Sequence, residues 1–200
     1  MALAFFTTFT TYGTWLAGSS KGKGSVDRQH NKHGTPFIVP DERREQASQD
    51  AMSQPAYTLS EAERDIVCQA IVDLCLEKGW DLLAVHVRSN HVHFVVSADR
   101  DPGRLMSNLK ARASRDLSRA GHGDQDRRRW TRHGSTLHLF HSADVAARVN
   151  YTLDQQGIRM ARYAKSGYST PAPAEPPEQP PKRAAHEVSG HPGEEEPRTK

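Results

Sequence analysis

The stretch "DLLAVHVRSNHVHFVVS", Asp81 to Ser97, contains two apolar, β-branched runs joined by Ser89 and Asn90. Two short runs of this kind with a two-residue polar link are typical of a β-hairpin. The stretch therefore predicts two antiparallel strands, over residues 81–88 and 91–97, at the centre of a sheet.

The segments on either side of this hairpin predict one strand and two helices. Residues 3–12 alternate and are rich in Phe and Thr, which favours a strand. Ser60 and Glu63 form a capping box ahead of a helical apolar period that continues to Gly79. Asp101 and the following proline begin a second helix, which has an apolar stripe on one side and basic residues on the other.

The C-terminal half predicts one more strand and one more helix. Residues 130–141 alternate weakly and favour a strand, and Ser142 is expected to cap a helix over residues 143–156 that Gly157 ends. The order of elements predicts an α+β protein with a ferredoxin-like antiparallel sheet, helices packed on one face, and the histidine strand in the centre.

Composition divides the chain into one domain and two less regular segments. A chain of 200 residues with 36% hydrophobic content is long enough for one core. We expect the domain over residues 1–165, a long insertion over 18–57 that acts as a mobile loop, and a disordered tail rich in Pro and Glu over 166–200. No apolar run has the length of a membrane span and no signal peptide is evident, so the sequence predicts a cytoplasmic protein that does not enter membranes.

Two histidines, His91 and His93, share one face of the predicted strand because side chains alternate along a strand. Two neutral imidazoles on the open face of a sheet can converge on one metal ion. The alternative is that both simply occupy a polar face. His86, on the preceding strand, is either a third ligand or a bystander.

Tyr151 stands apart from the apolar stripe of the third helix. Val145, Val149 and Leu153 form that stripe, and Tyr151 lies roughly 160 to 200° away from it at 100° per residue. Gln155, four residues later, falls within about 40° of Tyr151, so the helix presents a phenol and an amide on one face. Such a pair can be a solvated surface, or a nucleophile beside a metal ligand.

In combination these residues resemble the single-tyrosine HUH transposases, the family of small insertion-sequence transposases and REP-associated tyrosine transposases. The resemblance rests on "NHVHFVV" at 90–96, with His91 and His93, and on "YTLDQ" at 151–155, with Tyr151 and Gln155. It implies that Tyr151 is the nucleophile and that His91, His93 and Gln155 hold a divalent cation, Mg²⁺ or Mn²⁺. Asp154 and Gln156 are neighbouring alternatives for the third ligand.

The resemblance implies cleavage and transfer of single-stranded or hairpin DNA through a 5′-phosphotyrosine, in DNA transposition or a domesticated form of it. Imidazole and amide ligands suit Mn²⁺ at least as well as Mg²⁺. Relatives act as dimers, so a homodimer is expected. Basic and aromatic side chains near the second helix and the following strand are candidate DNA contacts: Lys110, Arg112, Arg115, Arg119, Arg128, Arg129, Trp130 and Arg132.

Two other functions fit parts of the pattern. A non-catalytic nucleic-acid-binding protein of this fold would use Phe5, Phe9 or Phe94 to stack bases. A zinc-dependent hydrolase would use His86 with the paired histidines and would not need Tyr151. Substitution of Tyr151 separates both from the enzyme, because only the enzyme depends on a covalent intermediate with DNA.

Overall fold

A computed structural model of the protein describes residues 2–20 and 39–168. Within these residues it contains five strands and four helices. In chain order they are β1 (Ala4–Thr11), α1 (Glu42–Asp50), α2 (Glu61–Lys78), β2 (Asp81–Val87), β3 (His91–Ser97), α3 (Pro102–Arg119), β4 (Trp130–Leu139), α4 (Ser142–Asp154) and β5 (Ala161–Ala164).

The strands form one antiparallel sheet in the order β4-β1-β3-β2-β5, so β3 lies in the centre. The predicted hairpin is confirmed as β2 and β3, and the predicted α+β class with an antiparallel sheet is confirmed as well. β5 was not predicted. It has only four residues and pairs with β2, a strand about 80 positions earlier. A segment this short shows no hydrophobic alternation from which a strand could be predicted.

The main core lies between one face of the sheet and helices α2 and α3. Val92, Phe94 and Val96 of β3 are fully buried there, together with Phe9 of β1 and Ile71 of α2. Alternation along β3 then directs His91, His93 and Val95 to the other face. Local signals set both helices: α2 begins with the Ser60 capping box and ends at a left-handed Gly79, and Asp101 caps α3.

The second face of the sheet carries α4, which corrects the expectation that all helices pack on one face. Val145, Val149 and Leu153 of α4 pack against Val95 of β3 and Leu83 of β2. The sheet is apolar on both faces in this region, and a bulge between Leu82 and Ala84 places both Leu83 and Ala84 on the face of α4. α4 also begins one residue earlier than predicted: its N-cap is His141, and Ser142 is its first residue.

The predicted insertion at 18–57 contains regular structure where the structure describes it. Helix α1, capped by Asp41, occupies part of it, although its sequence lacks an apolar period and it buries no residue. Residues 21–38 lie outside the described residues. The chain separates into one unit from Met1 to Thr170 and another from Pro171 to Lys200. The predicted tail falls, apart from its first three residues, outside the described residues.

No helix among the described residues is both long enough and apolar enough to span a membrane.

Candidate active site

His91 and His93 form the centre of the site, on the face of β3 that α4 partly covers. Their ring centroids are 4.7 Å apart and the rings are inclined at 74°. His93 is 8% exposed and His91 is half-buried. The alternation of β3 predicts this shared face.

Each imidazole is oriented by a hydrogen bond at Nδ1. His91 Nδ1 lies 2.7 Å from Asn90 Oδ1, and His93 Nδ1 lies 2.7 Å from Thr8 Oγ1 on β1. The Asn90 oxygen only accepts, so its bond favours the His91 tautomer in which Nδ1 carries the proton and Nε2 keeps a lone pair, the form of a metal-binding imidazole. The Thr8 hydroxyl can donate or accept, so its bond is compatible with the same form of His93. Sequence reasoning missed Thr8, because its pairing with His93 depends on the register between β1 and β3.

Burial keeps both imidazoles neutral. It lowers the pKa of His91 to about 4, with a further contribution from the positive charge of Arg88. It lowers the pKa of His93 to about 3, and the neighbouring His91 acts in the same direction. Two lone pairs are therefore available at neutral pH.

Tyr151 lies beside this pair within the same chain. Its ring centroid is 5.9 Å from that of His93 and 5.7 Å from that of Phe6, and Phe6 itself stacks on His93 at 5.6 Å. The guanidinium carbon of Arg148, one turn earlier on α4, is 5.7 Å from the centre of the Tyr151 ring. One chain therefore brings together a phenol, two neutral imidazoles and a cation.

The amide beside the imidazoles belongs to Gln156 and not to Gln155. Hydrogen bonding to the Gln156 side chain opposes the lowering of the pKa of both histidines, so this side chain lies beside their rings. Its nitrogen is committed elsewhere, since Gln156 Nε2 donates to the carbonyl of Tyr151 at 3.2 Å. Gln155 is exposed and lines a cleft with Leu137 and Asn150.

The helical projection placed Gln155 beside Tyr151 because it assumed a helix up to residue 156. α4 ends at Asp154, and Gln155 is already its C-cap with φ of -100° and ψ of 20°. The chain then turns the next side chain toward the sheet. Asp154 is not beside the histidines as a free carboxylate, because it pairs with Arg159 at 3.2 Å and Arg162 at 3.5 Å.

His86 is a structural residue. It is fully buried, and the backbone N–H of Met160 donates to its Nε2 at 3.2 Å. Nδ1 therefore carries the proton and donates to the carbonyl of Thr152 at 3.0 Å. Since both ring nitrogens are engaged, His86 has no lone pair for a metal.

Basic side chains of the sheet hold the end of α4 in place. Arg88 Nη1 donates to the carbonyls of Gln156 and Ile158, the latter at 3.0 Å, and Arg162 Nη1 donates to the carbonyl of Leu153 at 3.2 Å. Together with His86, these donors satisfy carbonyls that a helix end leaves without partners. Sequence reasoning missed Arg88, whose position in the turn gives no sign of this role.

The residues present fit a small divalent cation. Two imidazole Nε2 atoms and one amide oxygen are ligands that Mn²⁺ and Mg²⁺ accept with further ligands from water or substrate. Across residues 2–20 and 39–168, no three His, Cys, Asp or Glu side chains converge as a metal site. A zinc site built on His86 and the pair is therefore not supported by the described residues.

Two of the predicted DNA contacts are engaged within the protein, Lys110 as a buried side chain and Trp130 as a partly buried one. Lys110 Nζ donates to the carbonyls of Thr131 at 2.9 Å and His133 at 3.0 Å, and burial lowers its pKa to about 8. The indole of Trp130 donates to the carbonyl of Lys110 at 3.1 Å and packs edge-on against Phe9 at 5.1 Å. Both side chains fasten α3 to the sheet, so neither is placed to contact DNA.

Two of the predicted arginines are also engaged within the protein. Arg129 is 2% exposed and its Nη2 donates to Ser118 and to the carbonyls of His122 and Gly123. Arg112 pairs with Glu77 at 2.8 Å and Asp116 at 2.7 Å. The predicted contacts that remain exposed are Arg115, Arg119, Arg128 and Arg132.

This α+β fold brings a tyrosine beside paired histidines, and comparison with known proteins finds a related family. The model of the family described as "Transposase IS200 like" matches residues 41–135. Over these residues the chain is similar to the IS200-like transposases. The match includes His91 and His93 and ends before Tyr151.

Among solved structures, the chain is similar to one described as the REP-associated tyrosine transposase bound to a REP hairpin. The likeness has a TM-score of 0.42 and 10% sequence identity, and it covers 78% of this chain and 67% of that chain. No curated protein matches the chain significantly.

Proposed function

We propose that the protein cleaves single-stranded DNA, or the single-stranded flank of a hairpin, and transfers the strand through a covalent bond to Tyr151. The position of the Tyr151 ring 5.9 Å from His93 in the same chain carries the proposal. A phenol at this distance can reach a phosphate held in front of the imidazoles without a rearrangement of α4.

In the proposed reaction the Tyr151 oxygen attacks the scissile phosphorus, and the bond from phosphorus to the 3′-oxygen breaks. The phenol loses its proton, and the departing 3′-oxygen gains one to become a free hydroxyl. A 3′-hydroxyl from another strand end later attacks the phosphotyrosine, which restores both the phosphodiester and the phenol. The energy of the broken bond is kept, so the transfer needs no ATP.

His91, His93 and Gln156 would hold the divalent ion, which would supply positive charge at the scissile phosphate. Thr8 and Asn90 orient the two imidazoles, and the guanidinium of Arg148 lies over the ring of Tyr151, where it can contact a bound phosphate. Phe6 packs against both His93 and Tyr151, so its ring helps to fix their relative positions and shields one side of the site from water.

The structure does not favour a non-catalytic protein that binds nucleic acid by stacking bases on phenylalanine rings. Phe9 and Phe94 are fully buried and Phe5 is 9% exposed, all beneath α2 and α3, so none offers a ring face to a base. The exposed arginines and the polar β1 surface next to the histidines still suit a DNA backbone. A homodimer stays a prediction, and one chain already brings the proposed catalytic groups together.

The test is a covalent adduct that survives denaturation. The full chain is incubated with labelled single-stranded hairpin DNA from the flanking locus and with Mn²⁺ or Mg²⁺. We expect a labelled protein band that Tyr151→Phe abolishes while DNA binding persists. Tyr163→Phe, on the opposite face of the sheet, is the matched control and should keep the band. A band that persists in Tyr151→Phe would refute the proposal.

A further inference from the structure

We propose that the cleft between β4 and α4 binds one unpaired nucleobase of the DNA strand and prefers adenine or cytosine to thymine. The cleft has a volume of about 480 Å³ and is lined by Leu137 of β4 and by Asp144, Arg148, Asn150 and Tyr151 of α4, with Gln155 at the helix end. This volume lies within the range of pockets that hold small organic ligands. The inference rests on the proposed function.

The cleft continues directly from the candidate active site. Tyr151 forms part of its wall, and the same ring contacts His93 and Phe6 on the side of the imidazoles. A strand whose phosphate lies at the phenol therefore has a neighbouring nucleotide at the cleft. On the sheet side, Leu137 pairs with Phe6 and presents an apolar side chain that is 45% exposed.

The two amides of the cleft are free to bind a ligand. Asn150 and Gln155 are exposed, and within residues 2–20 and 39–168 neither side chain makes a hydrogen bond to the protein. An amide offers a donor and an acceptor on one plane, which matches the edge of a base. The guanidinium of Arg148 lies 5.3 Å from the centre of the Phe6 ring and can stack on a base or hold its phosphate.

Asp144 gives the cleft a preference among bases. A carboxylate only accepts hydrogen bonds, so it suits the amino group of adenine or cytosine. Thymine presents carbonyl oxygens at the corresponding positions, and these repel a carboxylate. The combination of one carboxylate with two amides therefore favours adenine and cytosine over thymine.

The test measures binding without cleavage. Full-length Tyr151→Phe protein is titrated with labelled hexamers of deoxyadenylate, deoxycytidylate and thymidylate, and fluorescence anisotropy gives each affinity. We expect the first two to bind about fivefold or more tightly than thymidylate. Asn150→Ala, Gln155→Ala and Asp144→Asn should each reduce this ratio. Gln69→Ala, an exposed amide on α2 that bonds to Asp73, is the matched control and should keep it.

Side-chain amide resonances of Asn150 and Gln155 locate the bound base, and we expect them to shift with deoxyadenylate more than with thymidylate. Equal affinities for the three hexamers, or a ratio that the cleft variants leave unchanged, would overturn the inference. Adduct formation by the wild-type chain is a separate measurement. The chain can therefore fail as a nuclease and still show the base preference, or form the adduct and show no preference.

Discussion

At the scale of single residues, the choice between Gln155 and Gln156 decides which amide completes the proposed ion site. Gln156→Ala should lower the affinity for Mn²⁺ by about tenfold or more, because it removes the amide that lies beside both imidazoles. Gln155→Ala should leave this affinity unchanged, since its side chain lies in the cleft. Calorimetric titration of both variants with Mn²⁺ measures the difference, and the reverse result would restore the prediction from the helical projection.

The same histidines predict how stability depends on pH in the metal-free protein. Their pKa values in the folded chain, about 4 and about 3, lie below the ordinary 6.5. At pH values between the folded pKa values and 6.5, the unfolded chain binds more protons than the folded chain. The free energy of unfolding therefore rises with pH in this range, and it falls as the pH drops from 6.5 toward 4. Replacing both histidines with glutamine should flatten this dependence by about one proton per residue. Denaturant unfolding with a chelator present measures it, and an unchanged slope would contradict the burial described here.

At the scale of elements, the position of α4 depends on donors from the sheet. Arg88→Met removes the bonds to the carbonyls of Gln156 and Ile158, so the turn after α4 should exchange its amide hydrogens faster. We expect the rate of adduct formation to fall about tenfold or more because the phenol and the amide lose their fixed positions. Arg88→Lys should recover part of the rate. Unchanged exchange and rate in Arg88→Met would show that packing alone positions the helix.

Elements with local signals were predictable from the sequence, and those without were not. The capping box at Ser60, the hairpin turn at Asn90 and the alternation of His91 and His93 each depend on near neighbours in the chain. β5 and the hydrogen bond between Thr8 and His93 depend on pairing between distant strands. The end of α4 at Asp154 was missed because the sequence carries no stop signal before Gly157.

At the scale of the whole molecule, the basic residues separate into structural and exposed sets. Lys110 and Arg129 are buried because carbonyls of β4 and of the preceding loop accept their hydrogen bonds. No local pattern in the sequence predicts these contacts. Arg115, Arg119, Arg128 and Arg132 remain exposed, so among the predicted DNA contacts only this set can form screened interactions with DNA phosphates.

This separation predicts how salt affects DNA binding. Arg132→Ala or Arg115→Ala should reduce the slope of log affinity against log salt by somewhat less than one for each phosphate that the arginine neutralises. Lys110→Met should lower the free energy of unfolding and leave the salt slope of the folded protein unchanged, since its ammonium group faces backbone carbonyls. Anisotropy titrations at several salt concentrations measure the slopes. A smaller salt slope in Lys110→Met would show that Lys110 contacts a DNA phosphate, which would contradict this assignment.

The most direct test of the account is to identify the residue that carries the DNA. The wild-type chain is allowed to react with single-stranded hairpin DNA and Mn²⁺, the product is digested with protease and nuclease, and the modified peptide is sequenced by mass spectrometry. The account predicts a nucleotide attached through its 5′-phosphate to Tyr151. Attachment to any other side chain, or cleavage of the DNA with no attached nucleotide, would contradict it.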